Sequence, residues 1–156
     1  MKQSINLTKY ILGILIGAII IVGILSLRWL FLHPIQPAYD QIIYPILFGL
    51  YISFIPLSVG VAELIKFIYL ATHKEAFTRA ALLSIQKIKL ATFMFCGVFV
   101  LIFPFIFRLG DMNDAPGLIL FGSLPILISF VTANLFSLLQ GVLEDGHQME
   151  QDIDTM

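Results

Sequence analysis

Four runs of apolar residues dominate this chain, over 10–32, 42–70, 90–107 and 115–143. A helix needs ~20 apolar residues to cross the hydrocarbon core of a bilayer, and each run is close to that length or longer. Lipid offers no partner to backbone N–H and C=O groups. A segment inside it must therefore satisfy them itself, which a single helix does.

Composition supports lipid as the solvent. Hydrophobic residues make up 59% of the chain and charged residues 12%, against about 45–50% and about 25% in soluble domains. A soluble chain of 156 residues could not hide that much apolar surface. The reading is one all-α integral membrane domain, a four-helix bundle, followed by a short acidic tail over 144–156. The first run follows Lys2 and Lys9, as a signal peptide would, but it exceeds the ~7–15 apolar residues of such a segment. It leads into the bulky Arg28-Trp29-Leu30-Phe31 instead of a small-residue cleavage site, so it reads as a retained span.

Lys and Arg mark the cytoplasmic side of short loops. Lys2, Lys9, Lys66, Lys74, Arg79, Lys87 and Lys89 lie at one set of ends, and Arg28 and Arg108 at the other. This asymmetry places both termini and the 71–89 loop in the cytoplasm of a bacterial plasma membrane protein. Pro34 and Pro37 shape the first outer turn, and Asp111 to Gly117 the second, with Asp114 as the expected cap of the fourth helix and Pro116 in its first turn. Thr78 reads as an N-cap, with Phe77 and Leu82 forming a hydrophobic staple. From there Ala81, Ile85 and Ile88 share a face. The expectation is an amphipathic cytoplasmic helix on the membrane surface that leads into span three.

The residues carry no catalytic set. His33, His73 and His147 fall in three different segments, and the lone Cys96 sits in an apolar run as a small hydrophobe. No catalytic residue, metal ligand or cofactor is expected. Asp111, Asp114 and Arg108 read as a capped turn with a local ion pair. Glu63 and Lys66 are three residues apart, so they share a helix face. They read as an interfacial pair with Lys66 reaching toward the headgroups. Asn134, mid-span, is expected to hydrogen-bond between helices. Ile46-Leu47-Phe48-Gly49 recurs as Ile119-Leu120-Phe121-Gly122, which a chain of this composition can produce by coincidence. Pro45, Pro56, Pro104 and Pro125 are expected to kink their spans.

Several ordered segments carry a resemblance. They are Tyr44-Pro45-Ile46-Leu47-Phe48-Gly49-Leu50-Tyr51 with Ile55-Pro56, then Lys74-Glu75-Ala76-Phe77-Thr78, then Ile85-Gln86-Lys87-Ile88-Lys89, and Asp114-Ala115-Pro116-Gly117. In order and spacing the chain resembles the YoaS-like family of small bacterial four-span membrane proteins, a domain family of unknown function. The resemblance covers about residues 10–143. It implies a four-helix membrane bundle with no known enzymatic activity, often encoded beside a small helix-turn-helix regulator. The short acidic tail departs from the lysine-bearing, longer polar ending usual in that family.

The function expected from all this is a non-enzymatic sensing or regulatory module paired with a cytoplasmic protein such as a helix-turn-helix regulator. Lys74, Phe77, Arg79 and Gln86 are its expected docking residues. The expected partners are the lipid bilayer and that regulator, with no direct contact to nucleic acid, and self-association is left open. A small transporter or an immunity factor against membrane-active compounds is the alternative, motivated by the proline-rich spans and the Glu63–Lys66 pair.

Overall fold

The computed structural model of the chain describes residues 2–32, 36–75 and 77–156. These form α1 (Lys2–Leu32), α2 (Pro37–Thr72), α3 (Arg79–Met112) and α4 (Pro116–Asp154). Pro34 and His33 lie outside the described residues, while Pro37 opens α2 at its first helical position. Three helices, α2, α3 and α4, are long and apolar enough to cross a membrane; the described apolar stretch of α1, Ile16–Trp29, is shorter. In α3 the rise from Lys89 to Arg108 is about 29 Å at ~1.5 Å per residue, which matches the ~30 Å hydrocarbon core.

The protein leaves its apolar surface uncovered. Its accessible area is 11064 Å², whereas a compact soluble monomer of this mass exposes about 7,900 Å². Within the apolar window of each long helix only 17% of the residues are buried by protein. Lipid must cover the remainder, or the exposed leucines, isoleucines and phenylalanines would face water.

Local chemistry sets the helix ends, in one place differently from expectation. Thr78 caps α3 as read from sequence: its hydroxyl accepts from Ala81 N at 3.4 Å and donates to Glu75 O at 2.7 Å. At α4 the cap is Ala115, with no side-chain bond, and Pro116 takes the first helical position. Asp114 does not cap. It stands at φ 48°, in the left-handed region that Asp tolerates better than most residues, and this turns the chain between α3 and α4.

The bundle is open. Contacts join α1 to α2, α2 to α3 and α3 to α4, and among the described residues no other pair of helices meets. A closed four-helix bundle would also join α1 to α4. Here α3 lies between α2 and α4, and α1 is attached to α2 alone. At that attachment Tyr51 Oη donates to Gly23 O at 2.6 Å and lies 2.6 Å from Ser26 Oγ.

The central position of α3 follows from a seven-residue repeat. Ala81, Ile85, Ile88, Thr92, Phe95, Phe99, Ile102 and Ile106 alternate spacings of four and three, and all are buried or half-buried. That 3.5-residue period keeps one stripe facing its neighbours, knobs into holes. Glycines supply the holes. A Cβ on Gly49 of α2 would collide with Ile102, and one on Gly122 of α4 would lie 2.7 Å from Ile106 Cγ2. The two Ile-Leu-Phe-Gly segments are therefore put to one use. Each ends on the glycine that receives an isoleucine of α3, and the two isoleucines are one turn apart.

The 79–89 segment is helical and leads into the third apolar run, forming the first turns of α3 without a break. Its apolar face is covered by protein, with Ala81 and Ile85 at 0% exposure and Ile88 at 4%.

Seating Ile102 at Gly49 makes a test. Gly49→Ala should overpack the seam at a cost of about 1–3 kcal/mol, more than the ~1 kcal/mol that alanine gains over glycine in a helix. The thermal midpoint in mild detergent should fall, and Ile102→Ala added to it should recover part of the loss. A Gly49→Ala variant as stable as wild type would show that this knob is not seated there.

Candidate functional site

The most polar cluster at the protein–membrane boundary forms where the Lys/Arg-rich ends of α2 and α3 meet. Glu63 is carried by α2 with its side chain only 16% exposed. Two lysines share it. Lys87 Nζ of α3 donates to Glu63 Oε1 at 3.1 Å, and Lys66 Nζ stands 4.0 Å from Oε2. The pair read from sequence is thus present, but its stronger member is Lys87, 24 residues away in sequence. Both lysines are more than half exposed, so solvent and headgroups screen the attraction, and the cross-helix pair contributes about 0.2–1 kcal/mol.

Ser84 completes the cluster. It is three residues before Lys87 on α3, fully buried, and stands beside the Glu63 carboxylate. Neither Ser84 Oγ nor Glu63 Oε2 has a hydrogen bond of good geometry. The arrangement clips α2 to α3 at the level where apolar residues give way to charged ones. Sequence reading missed Lys87 and Ser84 as partners of Glu63. The usable signal was the α3 stripe: once Ala81, Ile85 and Ile88 are set facing inward, Ser84 and Lys87 fall on its flank.

The expected docking residues are spread over two elements. Arg79 and Gln86 are exposed on α3, on a stripe that also exposes Leu83 and Leu90. Lys74 is exposed in the link between α2 and α3, at φ 59°. Phe77 packs against α4. Its ring lies over Gly146 of α4, where a Cβ would collide with it, so it braces the link against α4 while staying 43% exposed.

Asn134 does not join helices. It is exposed, and its Nδ2 donates to Phe130 O of its own helix at 2.8 Å. A mid-span amide on an outward face finds its nearest acceptor one turn back on its own backbone. At the opposite end Asp111 and Asp114 are exposed, and among the described residues the ion pairs are those on Glu63. Cys96 is half-buried with its Sγ 3.9 Å from Ile126 O. Among the described residues no three His, Cys, Asp or Glu side chains converge as metal ligands would.

The cluster generates a double-mutant cycle. Lys87→Met and Glu63→Gln should each destabilise the purified protein slightly, with a coupling of about 0.2–1 kcal/mol that shrinks at high salt. The corresponding cycle with Lys66 should give a smaller value, because that contact is longer. Equal coupling to both lysines would contradict the geometry.

Comparison with known proteins fits this architecture. A family model described as "Protein of unknown function (DUF2975)" matches residues 29–156. The uncharacterized membrane protein YoaS of Bacillus subtilis (strain 168) is 24% identical over 151 residues, covering 88% of this chain and 91% of that protein. No solved structure matches. The family match takes in α2, α3 and α4, with the seam between them and the Glu63 cluster. This membrane protein therefore belongs to the DUF2975 family, whose function is unknown.

Proposed function

We propose that the chain crosses the membrane four times, with α1 as the fourth span and both termini in the cytoplasm, and that it is a non-enzymatic regulatory module for a soluble cytoplasmic partner. The observation that carries this reading is the continuity of α3. One helix, Arg79–Met112, runs from the seam inside the apolar region to the charged end without interruption. A rigid element with packed contacts at both levels can carry a change in one to the other.

The surface at that end favours protein contact. Thr78 fixes the start of α3, Phe77 braces the link on Gly146, and α4 continues as helix to Asp154. Arg79, Leu83, Gln86 and Leu90 present a mixed polar and apolar stripe on this support, and Lys74 is exposed in the link that precedes it. Such a stripe suits a partner with an acidic, partly apolar face, and salt weakens the charged part of that attraction. A helix-turn-helix regulator is the kind of partner that the family resemblance suggests, bound as a protein and not through nucleic acid.

Two experiments test the reading separately. Reporter fusions after Gln36, His73, Asn113 and Met156 should read outside, inside, outside and inside. A cytoplasmic signal after Asn113 would sink the topology. Purification of the full chain from mild detergent should co-recover a soluble partner, and recovery should fall when Arg79→Glu and Gln86→Glu are combined at unchanged abundance. Unchanged recovery would remove the stripe from the interface.

A further inference from the structure

The open row of helices leaves a cleft. Because α2 and α4 both rest on α3 and, among the described residues, their backbones stay apart, a space of ≈ 220 Å³ lies between them with α3 as its floor. Gly60 and Leu64 of α2, Ile88 and Phe95 of α3, and Thr132 and Phe136 of α4 line it. The hydroxyls with assigned partners bond to their own helices: Thr92 Oγ1 donates to Ile88 O at 2.9 Å and Ser129 Oγ to Pro125 O at 2.6 Å. The cleft thus offers its occupant almost wholly apolar contact.

Depth and size select the occupant. The α3 floor begins beside Lys87 and Lys89 and ends at Phe95, a rise of about 10 Å. Half of the hydrocarbon core is about 15 Å, so the cleft lies within one leaflet. A helix is about 10–12 Å across, and a piece that long displaces on the order of 800 Å³, more than the cleft holds, whereas a single acyl chain is thin enough to lie along its floor. If a methylene takes about the ~30 Å³ of a water molecule, the cleft holds roughly seven carbons. An extended chain of that many carbons is about as long as the floor.

Charge defines the other end of the ligand. Glu63 engages Lys66 and Lys87. Lys89 follows Ile88 of the floor in sequence, about 100° round the helix, is half-buried at the end of the cleft where the charged residues begin, and has no acidic partner among the described residues. An anion held at the headgroup level would complement it.

We propose that this cleft is a binding site for an anionic glycerophospholipid, with one acyl chain between α2 and α4 and its phosphate at Lys89. The apolar transfer itself gives little, because the chain leaves a lipid environment as apolar as the cleft. Selectivity comes from filling a void whose lining otherwise lacks contacts and from the lysine. The site does not depend on which side of the membrane the Lys/Arg-rich end faces.

Photolabelling of the full chain tests it. The protein is placed in phosphatidylcholine nanodiscs with a trace of phosphatidylglycerol carrying a diazirine on one acyl chain, and labelled residues are mapped by mass spectrometry. Label should concentrate in 56–64, 88–95 and 128–136. Gly60→Leu should lower it about fivefold; a Cβ there meets only Ala91 Cβ at 3.5 Å, an ordinary contact. Thr132→Phe fills the cleft from the other wall and serves if Gly60→Leu fails to fold. Lys89→Gln should reduce the preference for this probe over a matched phosphatidylcholine probe. Label spread evenly over outward residues such as Leu101, Leu120 and Leu135, insensitive to both filling variants, would overturn the proposal. Cleft residues protected from label but cross-linked between chains would overturn it in favour of a second copy.

Discussion

The fold depends on the fit of the α3 stripe into its two neighbours. In lipid, burial of apolar side chains against one another gains little, because the solvent is equally apolar. What holds membrane helices together is close contact, and close contact needs knobs and holes. Ile102 and Ile106 are the knobs, one turn apart, and Gly49 and Gly122 are the holes. Phe99 shares their buried cluster, and Ile46, Phe95 and Ile126 pack against it from α2, α3 and α4. With α3 seated on both sides, α2 and α4 are held apart by its width. The cleft follows from the same geometry that builds the core.

Polar contacts then refine an arrangement that packing has set. The Glu63 cluster lies at the boundary where charge becomes tolerable, and it fixes the register of α2 against α3 at a modest energy. The Phe77–Gly146 contact does the same for the link against α4. By contrast α1 is joined at the Tyr51 junction, and among the described residues its helix contacts are with α2. The unit is therefore graded, with α2 and α4 each packed closely on α3 and α1 appended to α2.

The fold was legible in the sequence wherever one local rule decided it. Lipid allows an isolated segment only helix, so the runs of apolar residues gave the elements. Thr78 was legible as a cap because capping needs only three neighbouring residues. Asp114 was misread because its cap role competes with a left-handed turn that residue type also suits. Lys87 was harder to pair with Glu63, since the partner lies on another helix 24 residues away and only the inward stripe of α3 points to it. The Ile-Leu-Phe-Gly repeat was visible but uninterpretable until α3 stood between its two copies. Asn134 looked like an interhelical contact because polarity says nothing about which way a helix is rotated, and here that face is turned outward.

The central claim is the order of the row, with α3 between α2 and α4 and with α1 away from α4. Disulfide trapping in native membranes tests it directly, in a chain whose own thiol is removed by Cys96→Ala. A Cβ at Gly60 lies 3.5 Å from that of Ala91, within the ~3.5–4.5 Å at which two cysteines bridge without backbone movement. The account predicts fast, near-complete bridging for Gly60→Cys with Ala91→Cys, and none for Ile20→Cys with Ile128→Cys across α1 and α4. Ready bridging of the second pair within one chain would mean a closed bundle, and would contradict both the row and the cleft it leaves.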